Sequence, residues 1–501
     1  MRGNPVFWLH VQLFRGWRNT LILAALYLLL AAAGTALAYR AGGPNADFAA
    51  ISAGALGFVT LSQGLFLLLL GPGAIHKSIQ RDFQTGMIES HRISPMSGSK
   101  IVLGYLSGAH VQAGTLYVAS LLLGTYFASQ LKLGYAVGAW WSVQLCIVCL
   151  ALLFSSLSLL VSLASRGKVN VVVIVLVLSL ISGWAVVMFI PGLALLGGWM
   201  TGQMLFNVFG GKTNLISDAT LAAAGIFTQV AISLTFLVAC YRKVRAPERP
   251  LFPVPLAFVL LVIGGAVLAL GTGMQSGVGQ VAAREFGSGL GAIQLLTAAI
   301  VFIAVAQFPL TAAALECFFV DRAHAFGDAA RTTRRAALLL VPVVLAGLTV
   351  LLVKIVLFTL SEERDADLGV LTAALDRLPQ YAAILVALAL SFWIDFNVIY
   401  IMKTLGRHPI WAVLLSAIVL KILPIVLDGG LIFLASLRDV DLWLVEGYFT
   451  GASPIGTLVL CTLPGGQPWP GLAFQVLLAG VATYFGLRFK RLVGPARVPR
   501  A

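Results

Sequence analysis

Few side chains in this chain can do chemistry where they stand, and most of those lie inside apolar runs. Asp395 and Lys421 fall in the inner thirds of two long hydrophobic stretches. A charge at that depth costs roughly 2.5–3.5 kcal/mol on insertion scales, so each is expected to face a cavity or a partner. They are candidates to pair with one another, and two readings stay open for them: a structural ion pair, or a translocation or proton-coupling site. Lys354 and Asp428 sit near the outer ends of their runs, where side chains can reach the interface, and Glu316 sits at an edge. Cys146 and Cys149 share a helix face by their spacing, and weigh more toward small packing residues than toward a metal or redox pair. His110, alone in its run, reads as a hydrogen-bonded packing residue. Gly211-Lys212-Thr213 imitates the end of a phosphate-binding loop, but Phe206 stands where the first glycine belongs. There are no paired catalytic carboxylates, no histidine cluster, and no serine or cysteine nucleophile with a base at helical spacing. The expectation is a protein without a catalytic residue, cofactor or metal of its own.

What must position these residues follows from composition. Of 501 residues, 59% are hydrophobic and 10% charged, with a mean hydropathy of +0.97, against roughly 25% charge in soluble domains. This is an all-α polytopic membrane protein with almost nothing left over for a soluble domain. The net charge of +14 is not a nucleic-acid signature, because the basic residues fall in short loops between apolar runs, where they act as orientation signals.

Runs long enough to cross about 30 Å of hydrocarbon occur near 20–39, 49–71, 101–128, 138–164, 169–190 and 221–241. A second set follows near 253–273, 290–319, 336–360, 380–402, 410–435 and 470–489, making twelve spans. The first run ends in Ala36-Leu37-Ala38, which resembles a signal-peptidase site, but it is as long as a full span and is expected to remain as an uncleaved first helix. With both termini inside, the inner segments hold most Lys and Arg, and the outer loops only Arg40, Lys132, Lys212, Arg284, Arg364, Arg377 and Arg438. Every inner loop obeys the positive-inside rule, which a miscounted topology would break at the first missed helix.

One polar stretch stands out, Gly73 to Leu103. Ile75, Ile79, Phe83 and Met87 recur every four positions, while Lys77, Arg81, Asp82, Gln84 and Glu89 take the other faces. The pattern predicts one helix lying across the membrane surface, loosened at Gly86 and ended at Pro95. Residues Asn4 to Arg18, with Phe7, Trp8, Phe14 and Trp17 beside Arg15 and Arg18, predict a second interfacial helix in contact with membrane lipid.

The two sets of spans look related, as six plus six. Each has a basic turn between its fourth and fifth spans, Ser162 to Leu180 against Met402 to Leu420. Each has a long inner segment after its second span, and a Gly/Pro-rich outer segment before its sixth, Pro191 to Ser217 and Leu437 to Pro470. The outer segments hold apolar pieces too short to cross, which are expected to dip in and return. Two halves follow, residues 1–245 and 246–501.

The inner stretch IQRDFQTGMIESHRISPMSGSKIVLGYLSG and the opening NPVFWLHVQLFRGWRN resemble the type-2 ABC exporter permeases. Here Thr85-Gly86 stands for that family's Gly-Thr order, and Tyr105 for a basic residue. The resemblance implies a multi-pass protein of the plasma (inner) membrane that moves an unidentified substrate outward with energy from a separate ATP-binding-cassette ATPase on the cytoplasmic face. It further implies that Arg81, Asp82, Phe83, Thr85, Gly86, Glu89 and Pro95 form the coupling segment. Arg81, Asp82 and Glu89 would make the polar contacts, while Ile79, Phe83 and Met87 hold the helix to its own bundle. Val320 to Ala336 would be the matching segment of the second half. The alternative is a twelve-helix secondary transporter driven by an ion gradient, for which Asp321-Arg322 and Arg334-Arg335 are a loose signature without its expected counterpart between the second and third spans.

Overall fold

The computed structural model of the chain describes residues 4–13, 16–41, 48–131, 136–170, 215–247, 251–253, 255–260 and 468–492, with scattered positions between them. The chain divides into two compact units, Met1–Leu251 and Phe252–Ala501. All regular structure among the described residues is helical. Among the described residues six helices are long and apolar enough to cross a membrane: Arg18–Ala41, Ile51–Gln84, Val111–Gln130, Ala136–Ala164, Gly225–Arg245 and Trp469–Arg488. Outside the described residues lie the expected span at 169–190, those from 290–319 to 336–360, the outer segments at 191–214 and 437–451, the loop at 320–336, and Lys354, Lys421, Asp428 and Glu316.

In the first unit, α1 (Pro5–Leu13) is followed by α2 (Gly16–Ala41). Helix α3 (Phe48–Gly64) runs through a π-helical stretch, Leu65–Leu70, into α4 (Gly71–Gln84). Then come α5 (Met87–Ile93), α6 (Gly98–Ala109), α7 (Val111–Gln130), α8 (Ala136–Ala164) and α9 (Leu215–Arg245). Helix α8 is the centre, packed by α9, α4 and α7; α3 and α2 lie on α7, and α1 lies on α6.

Two expectations are corrected. The stretch from Gly73 to Leu103 is not one surface helix. Pro72 sits at the first turn of α4, where a missing N–H is tolerated, and the π-helical stretch before it makes room for its ring, so the second span continues to Gln84. The chain turns at Thr85-Gly86, where Gly86 has φ 72°, a left-handed conformation that glycine adopts without steric cost. It turns again at Ser94–Ser97, where Ser97 caps α6 by accepting from the Lys100 N–H. The third run, expected unbroken over 101–128, is also divided, with α6 ending and α7 beginning at His110.

In the second unit the longest described helix is α10 (Trp469–Leu492). Its Thr483 hydroxyl accepts from Trp393 Nε1 at 2.7 Å, and Gln475 Nε2 donates to Thr457 Oγ1 at 2.8 Å. Polar side chains thus join helices across an apolar interior.

Candidate functional site

The turn between α4 and α6 leaves the bundle as a short helical knuckle. Arg81, Thr85, Gly86, Glu89 and Pro95 are exposed on it, and Phe83 is half-buried. Met87 is 38% exposed and Ile93 85% exposed, apolar side chains on an otherwise polar protrusion. The Thr85 hydroxyl donates to the Arg81 carbonyl at 3.0 Å, and Arg92 pairs with Glu89. Ile75 and Ile79, at 0% exposure, fasten α4 to the bundle.

Asp82 does not share that exposed face. It is 2% exposed and accepts a hydrogen bond from the Tyr105 hydroxyl of α6. His91 of α5 reaches the same carboxylate oxygen at 3.5 Å, long for a hydrogen bond but close for a charge contact. The coupling role expected for Asp82 was that of a surface contact; the fold uses it as the internal tie between three helices. The cause is the i, i+3 relation to Ile79, which turns residue 82 toward α6 whenever Ile79 is buried.

A fourth helix closes over this tie. Asn4 caps α1 by accepting from the Val6 and Phe7 N–H groups at 3.1 and 3.4 Å, and its amide donates to the Lys100 carbonyl at 2.6 Å. Gly104 and Gly108 form the seat: a Cβ at Gly104 would stand 2.7 Å from Val6 Cβ, and one at Gly108 3.0 Å from the Phe7 carbonyl oxygen. This is the small-xxx-small spacing that lets two helix backbones approach. His10, fully buried, lies tilted against the Tyr105 ring with the centroids 4.9 Å apart.

Burial pushes the His10 pKa from its ordinary 6.5 down to about 4; Asp82 opposes this, while His91 and Arg81 add to it. The folded value lies below the unfolded one, so the unfolded chain binds the extra proton. Stability is therefore full above about pH 6.5 and falls as the pH drops toward about 4. Thermal unfolding of the purified protein across that window is expected to show this loss, and His10→Phe is expected to reduce it.

Below the knuckle, α8 presents serines at a 3-4 spacing to α4 and α6. Ser162 Oγ bonds His76 Nδ1 at 3.0 Å, Ser158 donates to the Pro72 carbonyl at 2.8 Å, and Ser155 Oγ meets His110 Nε2 at 2.8 Å. His110 Nδ1 also lies 2.8 Å from the Leu106 carbonyl oxygen, so its reading as a packing residue fits its surroundings. Past α8, Gly167 at φ 72° sets its turn against α4, with Gln80 Cα 2.6 Å from where a Cβ would be.

These contacts gather the basic residues of separate loops at one end of the unit. Gly167 touches Gln80, Gly98 lies under the Arg245 stem, and Lys100 is held by Asn4. Lys77, Arg81, Arg166, Lys168, Arg242 and Arg245 therefore share an end with the knuckle. Asp395 is half-buried in the second unit, and Lys421, its expected partner, lies outside the described residues. Cys146, Cys149 and Cys240 are buried free thiols. Among the described residues no three His, Cys, Asp or Glu side chains are grouped to hold a metal ion.

Sequence reasoning missed His10, Tyr105 and the α8 serines. The serine spacing and the Gly104-x-x-x-Gly108 pattern were readable signals; His10 carried none. Comparison with protein-family models, with curated proteins and with solved structures gave no match in any of the three.

Proposed function

We propose that this multi-pass membrane protein is the permease subunit of an ATP-binding-cassette exporter, moving its substrate with energy from a separate ATPase that grips the knuckle between α4 and α6. The observation that carries the reading is mechanical. The knuckle is a direct extension of a membrane-spanning helix, and its root is tied by Asp82 to Tyr105 and His91. A partner that displaces Arg81, Met87, Glu89 and Ile93 therefore moves a span and not a floppy loop, which is what converting ATPase closure into a tilt of helices requires. The basic end of the unit is the end that the positive-inside rule places in the cytosol, where ATP is.

The test uses surface positions only. Arg81→Glu with Glu89→Lys inverts the exposed charges and leaves Asp82 alone. Co-purification of an ATP-binding-cassette subunit encoded beside this gene is expected to fall by roughly 30-fold or more, as like charges meet across the interface. The chain purified without that subunit is expected to hydrolyse no ATP. Undiminished co-purification of a double variant that unfolds at the parental temperature would remove the coupling role.

A further inference from the structure

The interface of α3 with α7 and α8 holds a second polar feature, far from the knuckle. Ser52, Leu56, Val59, Gln63 and Leu67 form one stripe along α3 and the π-helical stretch that follows it, and Trp140, Val143, Gln144, Ile147 and Ala151 form one stripe along α8. The stripes face each other: Leu56 and Val59 pack on Trp140 and Phe127, and Leu67 packs on Val143, Ile147 and Ala151. Gln63 lies midway between the two clusters on α3, and Gln144 lies between Trp140 and Ile147 on α8. Register along the two stripes thus sets both carboxamides between the same two apolar clusters.

Both are sealed from solvent, at 0% and 2% exposure, and among the described residues neither the nitrogen nor the oxygen of either amide has a hydrogen-bond partner. Ser52, at 0% exposure one turn before Leu56, has an unpaired hydroxyl on the same stripe. Glutamines that serve as glue between membrane helices bond across the interface; these bond to none of the described residues, so their desolvation is uncompensated. The other polar groups nearby are already used: Trp140 Nε1 donates to Thr125 Oγ1 at 3.3 Å, and Ser62 bonds Tyr27 at 2.7 Å. No Asp, Glu, Lys or Arg occurs anywhere in α3, α7 or α8.

We propose that Gln63 and Gln144 form a binding station inside the first unit for neutral groups that both donate and accept hydrogen bonds, the hydroxyl or carboxamide groups of an uncharged polar solute. A carboxamide offers a donor and an acceptor side by side and matches such a group without a charge. A seam with no Asp, Glu, Lys or Arg offers an ion no counter-charge, so it rejects one. As a statement of substrate class this rests on the permease reading.

The test is cysteine modification of the full-length chain in membrane vesicles. In a background with Cys146, Cys149, Cys240, Cys317 and Cys461 replaced by alanine, Gln144→Cys and, separately, Gln63→Cys are treated with three reagents: neutral hydroxyethyl methanethiosulfonate, cationic trimethylammonioethyl methanethiosulfonate and anionic sulfonatoethyl methanethiosulfonate. All three reagents attack the same thiolate, whose formation burial suppresses equally for each, so the ratio of rates at one position reads which charge the path admits. The neutral reagent is expected to modify both positions roughly tenfold or more faster than either charged one, because burial without a counter-charge excludes ions. It is also expected to leave Leu159→Cys, an equally buried apolar position, untouched. A companion variant, Gln63→Met with Gln144→Met, keeps side-chain length and is expected to unfold at the parental temperature or above. No modification by the neutral reagent, equal rates for the charged ones, or a lowered unfolding temperature of the methionine pair would each overturn the proposal. No ATPase takes part, so failure here leaves the permease reading standing, and loss of that reading leaves the station standing.

Discussion

Tyr105→Phe is expected to destabilise the first unit by about 1.5–3 kcal/mol, the range for losing a hydrogen bond to a charged group. The phenol is fully buried and its hydroxyl serves the Asp82 carboxylate. Without it, a carboxylate at 2% exposure keeps only His91 at 3.5 Å. The aromatic ring stays, so packing against His10 and His91 is retained and the loss reports on the tie itself. Asp82→Leu in the Tyr105→Phe background removes the stranded charge and should recover part of that loss, since replacing both members of a buried polar pair is milder than removing one. Denaturant or thermal unfolding of the four proteins closes a double-mutant cycle. Additive effects would mean that Tyr105 and Asp82 stabilise the fold independently, and the rigid root assigned to the knuckle would be lost.

Gly71→Ala is expected to be among the most damaging single methyl additions. Its Cβ would stand 2.4 Å from His110 Nε2, and that ring is fixed from both sides, by the Leu106 carbonyl and by Ser155 Oγ, each at 2.8 Å. The ring cannot swing aside without giving up both bonds, so a cost at or above the upper end of the usual 1–3 kcal/mol for overpacking follows. His110→Ala should relieve most of it, leaving the double variant closer to His110→Ala alone than additivity allows. Gly34→Ala is the control, because its Cβ would meet nothing within 4 Å and alanine is the better helix former. Comparable losses at Gly71 and Gly34 would show that helix crossing at His110 sets no limit.

The apolar elements were legible in the sequence because a membrane helix announces itself by composition alone. The runs expected at 20–39, 138–164 and 470–489 correspond to spans at Arg18–Ala41, Ala136–Ala164 and Trp469–Arg488. What periodicity could not give was where a helix with a continuous pattern bends. Ile75, Ile79, Phe83 and Met87 keep a four-residue rhythm across Gly86, yet Ile75 and Ile79 are buried and Met87 is not. The rhythm describes side chains, whereas the turn is a backbone event made cheap by one glycine. Asp82 was legible as a charge but not as a buried one. Its burial depends on Tyr105, 23 residues on, and on α1, which is pinned to α6 across 96 residues of chain. No local pattern carries a contact of that separation.

That separation also fixes an order of events during synthesis. Helix α1 emerges from the ribosome ahead of its landing place on α6, including the carbonyl of Lys100 that the Asn4 amide grips, which is made 96 residues later. Two hydrophobic spans must enter the bilayer in the meantime, so α1 cannot dock until α6 has been made. The pocket that holds Asp82, Tyr105 and His10 therefore closes only once α6 has been made, after the spans that separate it from α1.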